Sequence, residues 1–252
     1  MGSFVTRMLD WSSVNSHEEG FVGADHRGRA DRILDAAKEL LLRWGYRRVT
    51  IDEIAKLAGV GKGTVYLHWR TREQLFFAVG AREAAAMLDA VVAGMRANPD
   101  EIALHRYMRR FFLEAMRRPV LRAIFTRDAE TLDKFLASPA RQPLVGAKLL
   151  ASREYLGVLE GHGLLRDGLR PEDLDYPLPT IVFGFFGIEP LLPAEVTLGL
   201  EEKADVLADT LRRTFEPERL PDCAPAAERA IEIFEGLSRD FRDAAYGGGN
   251  GT

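Results

Sequence analysis

The stretch from Val49 to Phe76, "VTIDEIAKLAGVGKGTVYLHWRTREQLF", restricts the possible folds of this chain more than any other. It contains two helix starts of the same design. Thr50 stands three residues before Glu53 and Thr71 three before Gln74, so each threonine can cap the third helical N–H while Glu53 or Gln74 reaches back. Between them, "LAGVGKG" stops one apolar-periodic segment at Gly59 and starts another near Gly61, leaving about three residues to turn the chain. The stretch therefore reads as helix, tight turn, helix. The second helix, roughly Lys62 to His68, carries Lys62, Thr64, Tyr66 and His68 and no carboxylate. Such a surface suits phosphates and base edges.

The preceding segment completes a small core. From Gly28 to Trp44, the residues Ile33, Leu34, Ala37, Leu40, Leu41 and Trp44 recur at spacings of three and four, the mark of an amphipathic helix, and Gly45 ends it. Ile54, Leu57 and Ala58 are expected to face inward from the next helix, with Val60 plugging the turn and Val65 and Trp69 supplying the apolar pair of the short third helix. Three helices around one core are the minimum for a helix-turn-helix unit. Gly61 reads equally well as a cap or as a DNA-facing residue, and Gly63 leaves the backbone bare for close approach to a phosphate.

The segments "ILDAAKELLLRWGYRRV", "TIDEIAKLA" and "GVGKGTVYLHWRTREQL" together resemble the DNA-binding domain of the TetR/AcrR family of transcriptional regulators. The resemblance runs from about Arg29 to Val79, under a quarter of the chain. It implies a double-stranded DNA operator, a homodimer and a C-terminal domain that senses a small-molecule effector. It further implies that Lys62, Tyr66 and His68 contact phosphates and that Gly63 and Thr64 lie against base edges or the groove wall. Thr50 and Arg72 would anchor the flanking DNA backbone.

Charge supports a division of labour. The whole chain is at −4, yet residues 27–75 hold 11 Lys or Arg against 6 Asp or Glu, a net of +5 that leaves −9 for the remainder. A basic head on an acidic body is expected when one domain faces DNA.

Beyond the head, a helix from the Thr71 cap towards Met95 carries Leu75, Val79, Met87, Leu88 and Val91 and stops at Asn98-Pro99. It is the one continuous rigid element expected between head and body. Further helices are expected at residues 100–117, 120–126, 129–137, 143–162, 180–192, 201–215 and 226–246. No period-two stretch of useful length occurs, so the fold class is all-α: an N-terminal three-helix helix-turn-helix domain and a larger C-terminal helical domain for ligand binding and dimerisation. The expected boundaries are a disordered extension over residues 1–26, the DNA-binding domain over 27–80, the effector and dimer domain over 81–246 and a flexible tail over 247–252.

The body is rich in rings, among them Phe111, Phe112, Phe125, Phe135, Tyr155, Phe183, Phe185 and Phe186. Core packing accounts for most of them. Family resemblance implies a cavity between helices, and apolar, aromatic linings are the rule in ligand pockets. Phe111, Phe125, Tyr155 and Phe183 are the candidate lining. "TIVFGFFGIEP" is apolar around its circumference and so expects cover on all sides. A second subunit is the expected cover, with Phe183, Gly184 and Gly187 at the contact and Leu207 and Leu211 on the following helix completing a four-helix interface.

The competing class is a helical enzyme or small-molecule carrier without a DNA role. None of the five histidines, His17, His26, His68, His105 and His162, stands in a di-iron or zinc-protease arrangement, and Glu101 with His105 at i, i+4 reads as a surface contact. "GVGKGT" lacks the full spacing and preceding strand of a phosphate-binding loop, and no nucleophile elbow is present. No catalytic residue, metal or cofactor is expected. The single cysteine, Cys223, fits a reducing cytoplasm and forms no intrachain disulfide. No signal peptide is evident, and the longest uncharged apolar run, residues 176–188, is too short and proline-broken to span a membrane.

Overall fold

Helix α1 (Glu19–Arg48) leaves helical geometry at Gly45, where φ is 73° and ψ 160°, and the chain reaches Thr50 in an extended conformation. The computed structural model describes residues 19–126 and 142–246. Residues 19–26 of the expected disordered extension are helical, as the first turns of α1. Helix α2 (Ile51–Ala58) begins with a complete capping box: the Glu53 N–H donates to Thr50 Oγ1 at 3.3 Å, and the Thr50 N–H to Glu53 Oε2 at 2.9 Å. It ends at Gly59, whose φ of 67° is open to glycine at little cost. Helix α3 (Lys62–His68) follows. Helix α4 (Arg72–Ala97) starts at Thr71, whose Oγ1 accepts the Gln74 N–H at 3.1 Å, but Gln74 turns to the Arg70 N–H instead of that of Thr71.

The body comprises α5 (Leu104–Arg117), α6 (Pro119–Phe125), α7 (Gln142–Gly161), α8 (Pro177–Gly187), α9 (Leu200–Phe215) and α10 (Ala224–Tyr246), with short 3-10 turns between several of them. No strand occurs among the described residues, so the chain is all-α. The expected helix over residues 129–137, the ring of Phe135 and the tail over residues 247–252 lie outside the described residues.

Two apolar cores are present. The head core joins Ile33, Leu34, Ile54, Val65, Trp69 and Phe76, while the body core is built around Phe112, Tyr155, Phe234 and the inward faces of α4, α5, α9 and α10. Along α4, core membership passes from the head through Ala81 to the body from Met87 onward. The stripe on α1 includes Trp44 in sequence, but Trp44 is 39% exposed because it precedes the kink directly; Leu57, expected to face inward from α2, is 47% exposed.

α4 is not the only long element between the cores. Helix α10 packs antiparallel along it, with Arg242 Nη2 donating to Asp89 Oδ2 at 2.7 Å, Ser238 Oγ to Asp89 Oδ1 at 2.6 Å, and Glu235 paired with Arg96. Helix α6 also touches both bodies: Val120 and Ala123 belong to the head core, and Ile124 packs on both cores.

Candidate functional site

Helix α3 is anchored by what it buries. Val65 is fully buried and Trp69, its C-terminal cap, is 2% exposed, so the opposite side of a seven-residue helix must face solvent. Lys62, Gly63 and Tyr66 lie on that exposed side and Thr64 is half-buried. Among the described residues, a Cβ at Gly63 would meet nothing within 4 Å, which leaves room for a close-approaching groove wall. Leu67, two positions from Val65, is 75% exposed; its spacing from Val65 could have indicated this from sequence.

The side chains differ in their commitments. Lys62 Nζ pairs with Asp52 Oδ2 at 2.8 Å, and the side chains are 50% and 67% exposed, so water screens the pair and a phosphate can displace it. The hydrogen bond from Lys62 to Asp52 holds the ammonium above its usual range, leaving it cationic at neutral pH. The Thr50 hydroxyl donates to Glu53 Oε2 at 2.8 Å within the cap, at an exposed position.

Two expectations change. His68, assigned to a phosphate, is buried at 5% exposure with its ring 5.3 Å from that of Trp69, because position 68 follows Val65 by three residues and falls on the inward face. Arg72, assigned to flanking DNA, anchors the protein's own backbone. Its Nη1 donates to the carbonyls of Tyr46 at 3.2 Å and Val49 at 3.1 Å, and its guanidinium lies 4.1 Å from the Tyr46 ring centroid. Tyr46 in turn donates to Glu73 Oε1 at 2.9 Å; burial and that carboxylate push its phenol above the usual range.

In the body, Phe111, Phe125 and Phe183 come together around Phe186: the Phe125 and Phe186 rings stack at 4.6 Å, Phe111 meets Phe125 edge-on at 5.4 Å, and Phe183 lies 6.2 Å from Phe125. Tyr155 sits apart from this group. Its ring packs on Tyr107 at 5.0 Å and Phe234 at 5.1 Å, and its hydroxyl donates to the Ile102 carbonyl at 2.7 Å. Tyr107, which sequence reasoning passed over, links the two groups, 6.1 Å from Phe111. The described residues include clefts at the surface. One of about 210 Å³ is lined by Arg106, Arg109, Arg110 and Arg117 with glutamates, and one of about 550 Å³ lies between Met95, Pro99, Ala227 and Ile231; neither includes a candidate ring. His105 does not meet Glu101. It is buried, and its Nδ1 lies 2.7 Å from Glu216 Oε2, tying the start of α5 to the end of α9.

The interface candidates divide as well. Gly184 and Gly187 are exposed with open space at the Cβ position, and Phe183 is 47% exposed. Leu207 and Leu211 are fully buried within a single chain, because the stripe they share with Ala204 and Phe215 packs on α5 of the same chain. That places them in the body core and off the surface. Among the described residues, the apolar circumference of α8 is covered on one side only, the side that carries Leu178, Val182 and Phe186.

Residues 33–79 match the profile of the bacterial regulatory proteins, tetR family. Over this span the chain is similar to TetR-family regulators. Over 49 residues, 19% of this chain, it is 45% identical to the HTH-type transcriptional regulator QacR of Staphylococcus aureus. Against the HTH-type transcriptional repressor AcnR of Corynebacterium efficiens it is 24% identical over 189 residues, covering 72% of this chain and 91% of AcnR. The chain spans about a quarter of the length of QacR and of a second curated relative matched over the head. The crystal structure of the regulator FadR from Bacillus subtilis, in complex with stearoyl-CoA, superposes with a TM-score of 0.55 at 17% identity, covering 72% of this chain and 96% of that one. At that identity the likeness shows a shared helical fold that reaches into the body, and nothing more. Among the described residues, no helix is long and apolar enough to cross a membrane.

Proposed function

We propose that this protein is a cytoplasmic, homodimeric transcriptional repressor of the TetR type that leaves an inverted-repeat DNA operator when a small, largely hydrophobic effector enters its body. The observation that carries the reading is the outward side of α3: Lys62, Gly63 and Tyr66 are exposed on a helix without a carboxylate, held by a capped helix-turn-helix core. In this reading Lys62 and Tyr66 contact phosphates, Thr50 meets the flanking backbone, and Gly63 and Thr64 lie at the groove wall. The uncovered side of α8, with Gly184 and Gly187, is the dimer contact. The Phe111, Phe125 and Phe183 group is the wall against which the effector binds. FadR was crystallised with stearoyl-CoA, a ligand with a long apolar chain, which supports an apolar effector here. Helix α6 supplies a route, because Phe125 belongs to the ring group while Val120 and Ala123 belong to the head core.

Selection of DNA fragments bound from the host genome tests this, followed by titration of the winners in increasing salt. The expected product is an inverted repeat whose half-sites lie one helical turn apart, ~34 to 36 Å, or a multiple of it. Failure to enrich any sequence above non-specific background would favour a helical carrier.

A further inference from the structure

The last turn of α10 is built into the head. Ala245 is fully buried in the head core, and its carbonyl accepts the Trp69 indole N–H at 3.2 Å in a buried bond. Trp69 also closes the recognition helix, since its backbone N–H donates to the Val65 carbonyl at 2.9 Å. Beside it, the Tyr246 hydroxyl donates to Asp31 Oδ1 of α1 at 2.5 Å and the Arg27 guanidinium lies 5.0 Å from the Tyr246 ring centroid. One turn earlier, Phe241 packs on both cores. The start of α10 is held at the other end of the molecule, where Ala226 and Ala227 are in the body core, and half-way along the helix Glu235 pairs with Arg96 near the end of α4.

A head joined to its body by α4 alone could swing about the entry to that helix. A second helix lying antiparallel to the first, fixed at both ends, prevents the swing, because bending would slide one packed helix along the other and break the buried Trp69 bond. We propose that the carboxyl end of α10 is a positioning element for DNA binding: through Ala245 and Trp69 it sets the direction of α3 and therefore the spacing of the two recognition helices in a dimer. The proposal rests on the DNA-binding reading above. Trp69 and Ala245 touch no DNA in it; they act through α3.

The full-length Ala245→Glu variant tests this, since a charged side chain at a fully buried position unseats the last turn of α10. Binding is measured to the inverted repeat selected by the wild-type protein and to a duplex carrying one half-site. The expected result is a loss of about tenfold or more on the full site with half-site affinity unchanged. Ala245→Ser should retain wild-type binding, and Asp243→Ala, at an exposed neighbour, should have no effect. Parallel loss on both duplexes would reduce α10 to a stabiliser of the head, and unchanged full-site affinity would remove its role altogether; either overturns the proposal. A second measurement needs no DNA. The Trp69 indole N–H should exchange slowly with solvent in the wild-type protein and rapidly in Ala245→Glu, whereas rapid exchange in the wild type overturns the contact itself. Should the wild type enrich no DNA while the indole stays protected, the DNA-binding reading fails and the positioning role fails with it, but the contact stands.

Discussion

Lys62 and Arg72 are both cations beside a helix start in the head, and the surroundings of each give them opposite duties. Lys62 is exposed, and its partner Asp52 is more exposed still. Replacing Lys62 by alanine should weaken binding to all DNA sequences alike and lower the slope of log K against log salt by about one, as loss of one phosphate contact requires. An unchanged slope would sink the assignment. Arg72 is engaged by two backbone carbonyls and the face of Tyr46. Arg72→Ala should destabilise the head by roughly 1 to 3 kcal/mol, the scale of a lost charged hydrogen bond and an unsatisfied acceptor, with the salt slope intact. Thermal unfolding and salt titration of the same variant separate the two effects. Tyr107 and Tyr155 add a pH dependence. Burial holds both phenols protonated well above the usual tyrosine range, reinforced at Tyr155 by the neighbouring Tyr107, Glu216 and Cys223. The unfolded chain loses these protons near pH ~10, so their contribution to stability is complete below that pH and declines as the pH rises towards the folded values. Tyrosinate absorbance should show at least two of the six tyrosines ionising only as the body unfolds.

At the scale of elements, α8 and α9 offer two apolar stripes that look equally suited to a partner. The chain itself covers one of them. Leu207→Ala, in the stripe that packs on α5, should cost about 2 to 5 kcal/mol of stability, as core truncations of leucine do. Gly184→Arg should leave the monomer helical, because nothing among the described residues lies within 4 Å of the added Cβ. It should dissociate the proposed dimer and abolish DNA binding, since a charge would be buried unpaired between apolar faces. Sedimentation checks this, and a Gly184→Arg protein that remains dimeric would place the interface elsewhere.

For the whole molecule, the proposed switch has to work without the effector touching a base. The ligand can act only by favouring a body conformation in which the two heads are wrongly placed. To take an operator from nearly full to nearly empty it must prefer that state by roughly 10⁴-fold, about 5.5 kcal/mol. Burial of a mostly apolar molecule at ~25 cal/mol per Å² supplies this when the pocket is well formed in one state only. Polar sugars and free nucleotides should accordingly fail as effectors. Phe125 sits where α6 meets the ring group, so Phe125→Ala should bind the operator normally yet respond less to effector. Loss of operator binding with unchanged effector affinity would move the sensor away from these rings.

The all-α class, the two capping threonines, the glycine turn and the short third helix were legible in the chain alone, because each is set by side chains within four residues of one another. The inward placement of Val65 and Trp69 was legible for the same reason. Periodicity shows that a stripe will be buried without showing by what. It could not tell the cover of Leu207 and Leu211 by α5 from cover by another subunit, nor the solvent-facing side of α8 from a buried one. Nor could it see that Arg72 would reach back 26 residues to Tyr46, or that Ala245 would meet Trp69 across 176. A hydrogen bond or an apolar contact is decided by distance in space, and over such separations only the packing of the whole chain determines which groups come within reach.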